Sequence, residues 1–310
     1  MWINIDVLKK VSLETNDRDQ GKLGGRRKTV QILLDSIYKG DFDQYQCDHD
    51  FRLTVASELA KLVRYAYPFS SPEISGESKV ILDQLNTDGY VIFPEFANEL
   101  QLENIINYFS NKTGSASHVH RPGEEYSHNE NFPFAMLSYS PKISILCKEI
   151  FEFITNPSLI NLANHYLECF PTFYCLNVYR TYPNHDSQTH HTHRDWDDFK
   201  FLVCFLYLTD VDSNSGAVQF YPRSHRRIYT HNQISIEGKK GTLVICDTAA
   251  LHNGTIPQST SRFACWWRYG IWLNGGYNIN KGNKDKISRK NFDENLLNDE
   301  LSYLLRGFLL

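Results

Sequence analysis

Residues 191–210 read HTHRDWDDFKFLVCFLYLTD. With His190 just before it, the stretch puts three histidines and three aspartates into positions 190–198. It then turns abruptly into an apolar, aromatic run from Phe199. Along a strand, residues two apart project to the same side. His193 and Asp195 therefore form an adjacent imidazole–carboxylate pair at the entrance to a buried strand.

Downstream of this stretch the texture stays β-like. GAVQFYP (216–222), GTLVICD (241–247) and RFACWWRYGIWL (262–273) are β-branched and aromatic runs, as is TFYCLNVYRTYP (172–183) just before it. Turn residues such as DSNSG and NGTIPQS separate them. Upstream the pattern is helical. TVQILLDSIYKGDF (29–42) and FRLTVASELAKLVRYAYPF (51–69) carry apolar residues at three- and four-residue spacing. VILDQLNTDGYVIFPEF (80–96) reads as a short helix, a stop at Gly89 and a strand. LQLENIINYFSNK and ISILCKEIFEFITNPSLINLANHYL are further helical segments, and NFDENLLNDELSYLLRGFLL (291–310) ends in a packing helix.

Helices followed by strands define an α+β chain with a mainly β core, a sandwich or jelly roll. The expected division is a helical N-terminal extension over 1–78, a β domain with supporting helices over 79–276, and a C-terminal tail over 277–310 that packs on the core. The extension is expected to add a layer of helix or to join two copies into a homodimer.

A net charge of −4 over 310 residues gives no reason to expect nucleic acid or an anionic membrane as partner. The basic stretch RDQGKLGGRRK (18–28) is short and Gly-rich, a solvated loop. Seven dispersed cysteines with no CxxC pair fit free thiols in a reduced compartment. No apolar stretch is long enough to span a bilayer, and MWINIDVLKK lacks the order of a signal peptide. The expected location is the cytoplasm.

A metal would need a third ligand from another strand. His252 follows GTLVICD and the small residues TAA. Two histidines and one carboxylate on one face of a metal, with the other face open, is the arrangement used for non-haem Fe(II) oxygen chemistry. Arg262 lies ten positions beyond His252, where one hairpin turn would set the two side by side on neighbouring strands. Its guanidinium can clamp a carboxylate with two parallel hydrogen bonds. A dicarboxylate that chelates the iron at one end and meets Arg262 at the other is 2-oxoglutarate.

HRDWDDFKFLVCFLYLTDVDSNSGAVQFYPRSH and LHNGTIPQSTSR, with DGYVIFPEF (88–96) and residues 154–183, resemble the phytanoyl-CoA dioxygenase-like branch of the Fe(II)/2-oxoglutarate oxygenases. The resemblance covers roughly residues 80–273. It implies a double-stranded β-helix (a cupin-like jelly roll) buttressed by helices. It implies iron ligands His193, Asp195 and His252, with Arg262 as anchor for 2-oxoglutarate and O2 as the second co-substrate. Asn177 resembles a strand position that contributes to co-substrate binding. Many relatives carry a hydroxyl residue two positions after the distal histidine, but here that position is Gly254. Thr255, or Thr209 or Tyr207, is expected to supply the missing hydroxyl. Halogenases of the superfamily lack the carboxylate, so the presence of Asp195 favours hydroxylation or a related oxidation.

Strand alternation puts Arg262, Ala264, Trp266 and Arg268 on one face, directed into the barrel. Trp266 is then a pocket wall or a core residue, and Arg268 a contact for an anionic substrate group. His190 and His191 read as residues of the strand entry, and His225 as structural. The polar segment GSASHVHRPGEEYSHNENFPF (114–134) reads as a substrate-recognition loop, with Tyr126 and His128 as contacts. Arg180, Arg268 and this loop point to a small polar, anionic or zwitterionic substrate. The competing reading is a metal-binding jelly roll without oxidative turnover, acting as a sensor or binding module.

Overall fold

The computed structural model describes residues 49–116, 124–129, 132–195, 198–226, 232–271, 287–292, 297–306 and 308. The helix read over 29–42, the basic stretch 18–28 and Cys47 lie outside them. In chain order the helices are α1 (His49–Ala66), α2 (Gly76–Asp88), α3 (Glu99–Ser110), α4 (Pro141–Ser144), α5 (Lys148–Ile154), α6 (Pro157–Leu167) and α7 (Asp299–Leu304). The strands are β1 (Tyr90–Phe93), β2 (Thr113–Ala116), β3 (Tyr126–Ser127), β4 (Met136–Tyr139), β5 (Thr172–Thr181), β6 (Phe201–Tyr207), β7 (Val218–Phe220), β8 (Ile234–Ile236), β9 (Leu243–Cys246), β10 (His252–Gly254) and β11 (Arg262–Gly270).

The strands form two antiparallel sheets. Eight pair in the order β1-β9-β6-β11-β5-β4-β2-β3, and three in the order β10-β7-β8. The central strands of the large sheet are buried on both faces, which is why their sequences are nearly continuously apolar. On β6, Leu202, Cys204 and Leu206 join the core shared with the helices, while Phe201, Val203 and Tyr207 join a second core. That second core draws Phe220 and Ile236 from the small sheet, so the two sheets enclose it.

Local signals set the helix ends. α2 stops at Gly89, whose φ of 83° is left-handed and whose N–H bonds to the Leu85 carbonyl. A Cβ at Gly89 would also meet His225 Nδ1 at 2.5 Å, so the position excludes a side chain twice over. α3 opens on a capping box between Asn98 and Gln101, and α6 on Asn156 with Pro157 in its first turn.

β11 is the spine of the site. Its pairing with β5 sets Trp266 opposite Asn177, and Arg268 opposite Cys175. The register shifts only beyond Arg268, where Tyr174 is the extra residue on β5. Alternation therefore holds from Arg262 to Arg268. Two expectations are corrected. β3 and all but the first residue of β2 fall in the segment read as a loop at 114–134, and the two strands pair Thr113 with Ser127 and Gly114 with Tyr126. β10 and β11 are not sheet neighbours, because β10 pairs with β7 and β11 with β5 and β6. The chain crosses from one sheet to the other between Gly254 and Arg262. Those two residues face the same cavity from opposite walls.

The six described cysteines are free and five of them are buried. No described helix is long and apolar enough to cross a membrane.

Candidate metal centre

The segment 193–195 does not belong to a named strand but is pinned to the one carrying His252. His193 and His252 exchange both backbone hydrogen bonds, at 2.9 and 3.0 Å, and Asp195 N–H donates to the Thr248 carbonyl at 2.8 Å. This pairing brings together residues 59 positions apart in the chain. The turn at 247–251 is itself braced from behind. Buried Asp247 accepts from Ala249 N–H at 2.9 Å and from the Tyr166 hydroxyl at 2.7 Å. Arg194 donates to the Ser224 carbonyl at 2.7 Å and to that of Ala249 at 2.5 Å, joining the two loops that flank the site.

His193, Asp195 and His252 offer one ligand atom each, and these atoms lie within 4.8 Å of one another. His193 Nε2 is 3.7 Å from Asp195 Oδ1, and His252 Nε2 is 3.7 Å from Asp195 Oδ2. Each imidazole is oriented by its other nitrogen. His193 Nδ1 donates to the His191 carbonyl at 2.8 Å, and His252 Nδ1 to the Ala250 carbonyl at 3.0 Å. Both Nε2 lone pairs are thereby presented to a common point, the second-layer arrangement that metal-binding histidines use. The residues fit a divalent ion of the non-haem iron type: two neutral nitrogens and one oxygen on one side.

The electrostatics support that reading. Burial pushes the Asp195 carboxyl upward, but Arg268 and His252 outweigh it and hold the pKa below the ordinary carboxylate value. Burial lowers the His252 pKa despite the carboxylate beside it, which keeps the ring neutral.

The three residues open onto a cavity of about 600 Å³. Arg262, Asn177 and Trp266 line it, as do Tyr179, Ser138 and Thr189. Arg262 is 4% exposed, and its Nη1 donates to the carbonyl of Gly216 just before β7, bridging the two sheets. Tyr179 was missed, although it lies two positions past Asn177 on the same face of β5. Thr189 carries no strand pattern and reaches the wall through the short 3-10 turn Gln188–His190.

Several expected contacts are placed elsewhere. Tyr207 is buried and its hydroxyl donates to the Ile236 carbonyl at 2.8 Å. The Thr255 hydroxyl donates to the Ala217 carbonyl at 3.0 Å, and that of Thr209 faces the Phe263 backbone. None of the three lines the cavity, whereas Gly254 does. Arg180 alternates to the opposite face of β5, where its guanidinium stacks 3.8 Å from the Phe263 ring. Tyr126 is directed to Glu124, and His128 Nδ1 lies 2.9 Å from the Tyr182 hydroxyl. Both stand apart from the residues lining the cavity, and His118, His120 and Arg121 lie outside the described residues. Trp267 is fully buried in the helix-side core. His225 is buried with Nε2 3.3 Å from the Asn86 carbonyl, a structural position. Arg268 lines the cavity, but its Nη2 donates to Asp195 Oδ2 at 2.7 Å rather than standing ready for a substrate anion.

No protein-family model matches the chain, and no curated protein matches it. The resemblance to the phytanoyl-CoA dioxygenase-like branch thus rests on the quoted motifs. Solved structures do align. One is the non-haem α-ketoglutarate-dependent epimerase SnoN from nogalamycin biosynthesis, at 14% identity and TM-score 0.49, covering 62% of this chain and 81% of that one. A second is HygX from Streptomyces hygroscopicus with nickel and 2-oxoglutarate bound, at 12% identity and TM-score 0.46, covering 64% and 87%. A third is the non-haem monooxygenase ThoJ with nickel, at 17% identity and TM-score 0.45, covering 61% and 76%.

Proposed function

We propose that the chain is a non-haem Fe(II)/2-oxoglutarate-dependent dioxygenase built on a double-stranded β-helix. It oxidises a small polar metabolite, by hydroxylation in the first instance, and releases succinate and CO2. The observation that carries this reading is the convergence of His193, Asp195 and His252 on a cavity whose wall also holds the buried Arg262. His193, Asp195 and His252 would hold the iron, and Arg262 the far carboxylate of 2-oxoglutarate. When bound, iron and 2-oxoglutarate together supply the means of oxidising a C–H bond with O2.

The chain's own residues do the positioning. The carbonyls of His191 and Ala250 hold the two imidazoles in one tautomer. Arg262 offers a forked donor that a lysine would not reproduce. Asn177 and Tyr179 flank the co-substrate side, while Trp266, Phe205 and Val218 supply apolar wall that excludes water. Asp195 supports a hydroxylase over a halogenase, because its carboxylate occupies the position a halide would need.

The direct test is succinate release and O2 consumption by the iron-loaded chain, compared with Asp195→Ala. Slow uncoupled turnover that disappears in the variant is the expected result. Metal binding with no conversion of 2-oxoglutarate, even across a broad substrate panel, would favour a jelly-roll binding module instead.

A further inference from the structure

Arg268 makes an ion pair with the carboxylate that the proposed reading assigns to the metal. Its Nη2 donates to Asp195 Oδ2 at 2.7 Å, with both side chains more than four-fifths buried. The guanidinium is held from two further sides, 4.7 Å from the Trp266 ring and 5.8 Å from the Phe201 ring. β-sheet register fixes its backbone between Val203 and Cys175. This is a built position, not a flexible side chain at a cavity mouth.

The consequence is electrostatic. As metal ligands both imidazoles are neutral. Among the described residues lining the cavity, the charged groups are then one carboxylate, Asp195, against two guanidiniums, Arg262 and Arg268. A divalent cation entering alone meets a centre whose single negative charge is already compensated. In a buried site this repulsion is weakly screened. A dicarboxylate arriving with the metal supplies two negative charges and reverses the balance.

We infer that Arg268 is a positioning residue that couples metal loading to dicarboxylate loading: by pairing with Asp195 it keeps the centre a weak site for a lone divalent ion and a strong one for the ion together with 2-oxoglutarate. This rests on the proposed function for the identity of the dicarboxylate. It also gives Arg268 a different role from recognition of an anionic substrate, and leaves the described wall with no uncommitted cation once Arg262 is engaged. Because coupling between two ligands is reciprocal, 2-oxoglutarate affinity must depend on the metal by the same factor.

The test is calorimetric titration of Ni(II), chosen because it supports no turnover, into wild type, Arg268→Gln and Arg268→Lys, with and without saturating 2-oxoglutarate. Arg268→Gln is expected to bind Ni(II) alone about tenfold more tightly than wild type, with the enhancement by 2-oxoglutarate reduced by a similar factor. Arg268→Lys, which keeps the charge, is expected to behave like wild type. Arg268→Gln binding Ni(II) more weakly, or both variants matching wild type within threefold, would overturn the inference. If Arg268→Gln does not fold, wild type still decides: Ni(II) alone binding as tightly as Ni(II) with 2-oxoglutarate also overturns it. Failure of 2-oxoglutarate to bind the nickel-loaded wild type would instead strike the proposed function.

Discussion

β11 carries an arginine at each end of one face, and the two are held in opposite ways. Arg268 is neutralised by Asp195 and flanked by aromatic rings. Arg262, more deeply buried, is tied only to the backbone carbonyl of Gly216 among the contacts described, with the Tyr179 ring 5.7 Å away. A guanidinium buried without a counter-ion is expensive and persists where an anion is to be received. One strand thus presents a completed ion pair at the metal end and an incomplete one at the far end.

The comparison breaks most severely at Asp195. Asp195→Ala should reduce succinate release more than about a hundredfold, since losing even an outer partner of a ligand costs up to that much. It should also lower unfolding free energy by about 3–5 kcal/mol, because Arg268 is left buried without its carboxylate. Steady-state assays and denaturant titration read the two effects separately. At the other end, Arg262→Ala and Arg262→Lys should both raise the KM for 2-oxoglutarate about 10- to 100-fold. A lysine that restores a wild-type KM would contradict the two-pronged contact.

Acid tests both ends together. Burial is the leading cause holding the pKa values of His190, His225 and His252 below the ordinary imidazole value in the folded chain. The unfolded chain then binds more protons below about pH 6.5. The stability these rings contribute is complete above that pH and is lost as the pH falls through the lower, folded values. Denaturation midpoints of the metal-free chain should therefore fall between about pH 7 and pH 5. Constant midpoints across that window would contradict the buried neutral imidazoles.

How much of this was readable in advance depends on the range of the interaction. The helix–Gly89–strand unit, the buried run of β6 and the face shared by Arg262, Trp266 and Arg268 follow from local periodicity, and they stand in the structure as read. What alternation cannot supply is the partner across the gap. It put Arg268 on the cavity face but not against Asp195, 73 residues earlier. Nor could the resemblance place the hydroxyl it called for: of Thr255, Thr209 and Tyr207, the first donates to the Ala217 carbonyl and the last to that of Ile236. The crossing between β10 and β11 misled the hairpin argument for the same reason. A short loop reads alike whether it joins two paired strands or two facing sheets.

The smallest effect sharpens the Arg262 end. A Cβ at Gly254 would meet His190 Cδ2 at 3.4 Å and the Thr189 carbonyl at 3.6 Å, ordinary packing distances. Gly254→Ser should therefore fold normally and place a hydroxyl on the cavity wall that Thr255 does not provide. One added neutral hydrogen bond predicts a 2-oxoglutarate KM lowered about two- to tenfold. A raised KM would mean that the space at Gly254 is needed by the co-substrate itself.

The most direct test of the central claim is an anaerobic titration of the metal-free chain with Fe(II) and 2-oxoglutarate, followed by visible absorption. The account predicts a metal-to-ligand charge-transfer band in wild type, lost in Asp195→Ala and weakened in Arg262→Ala. Iron that binds wild type without any such band would contradict it, leaving a metal site with no 2-oxoglutarate chemistry.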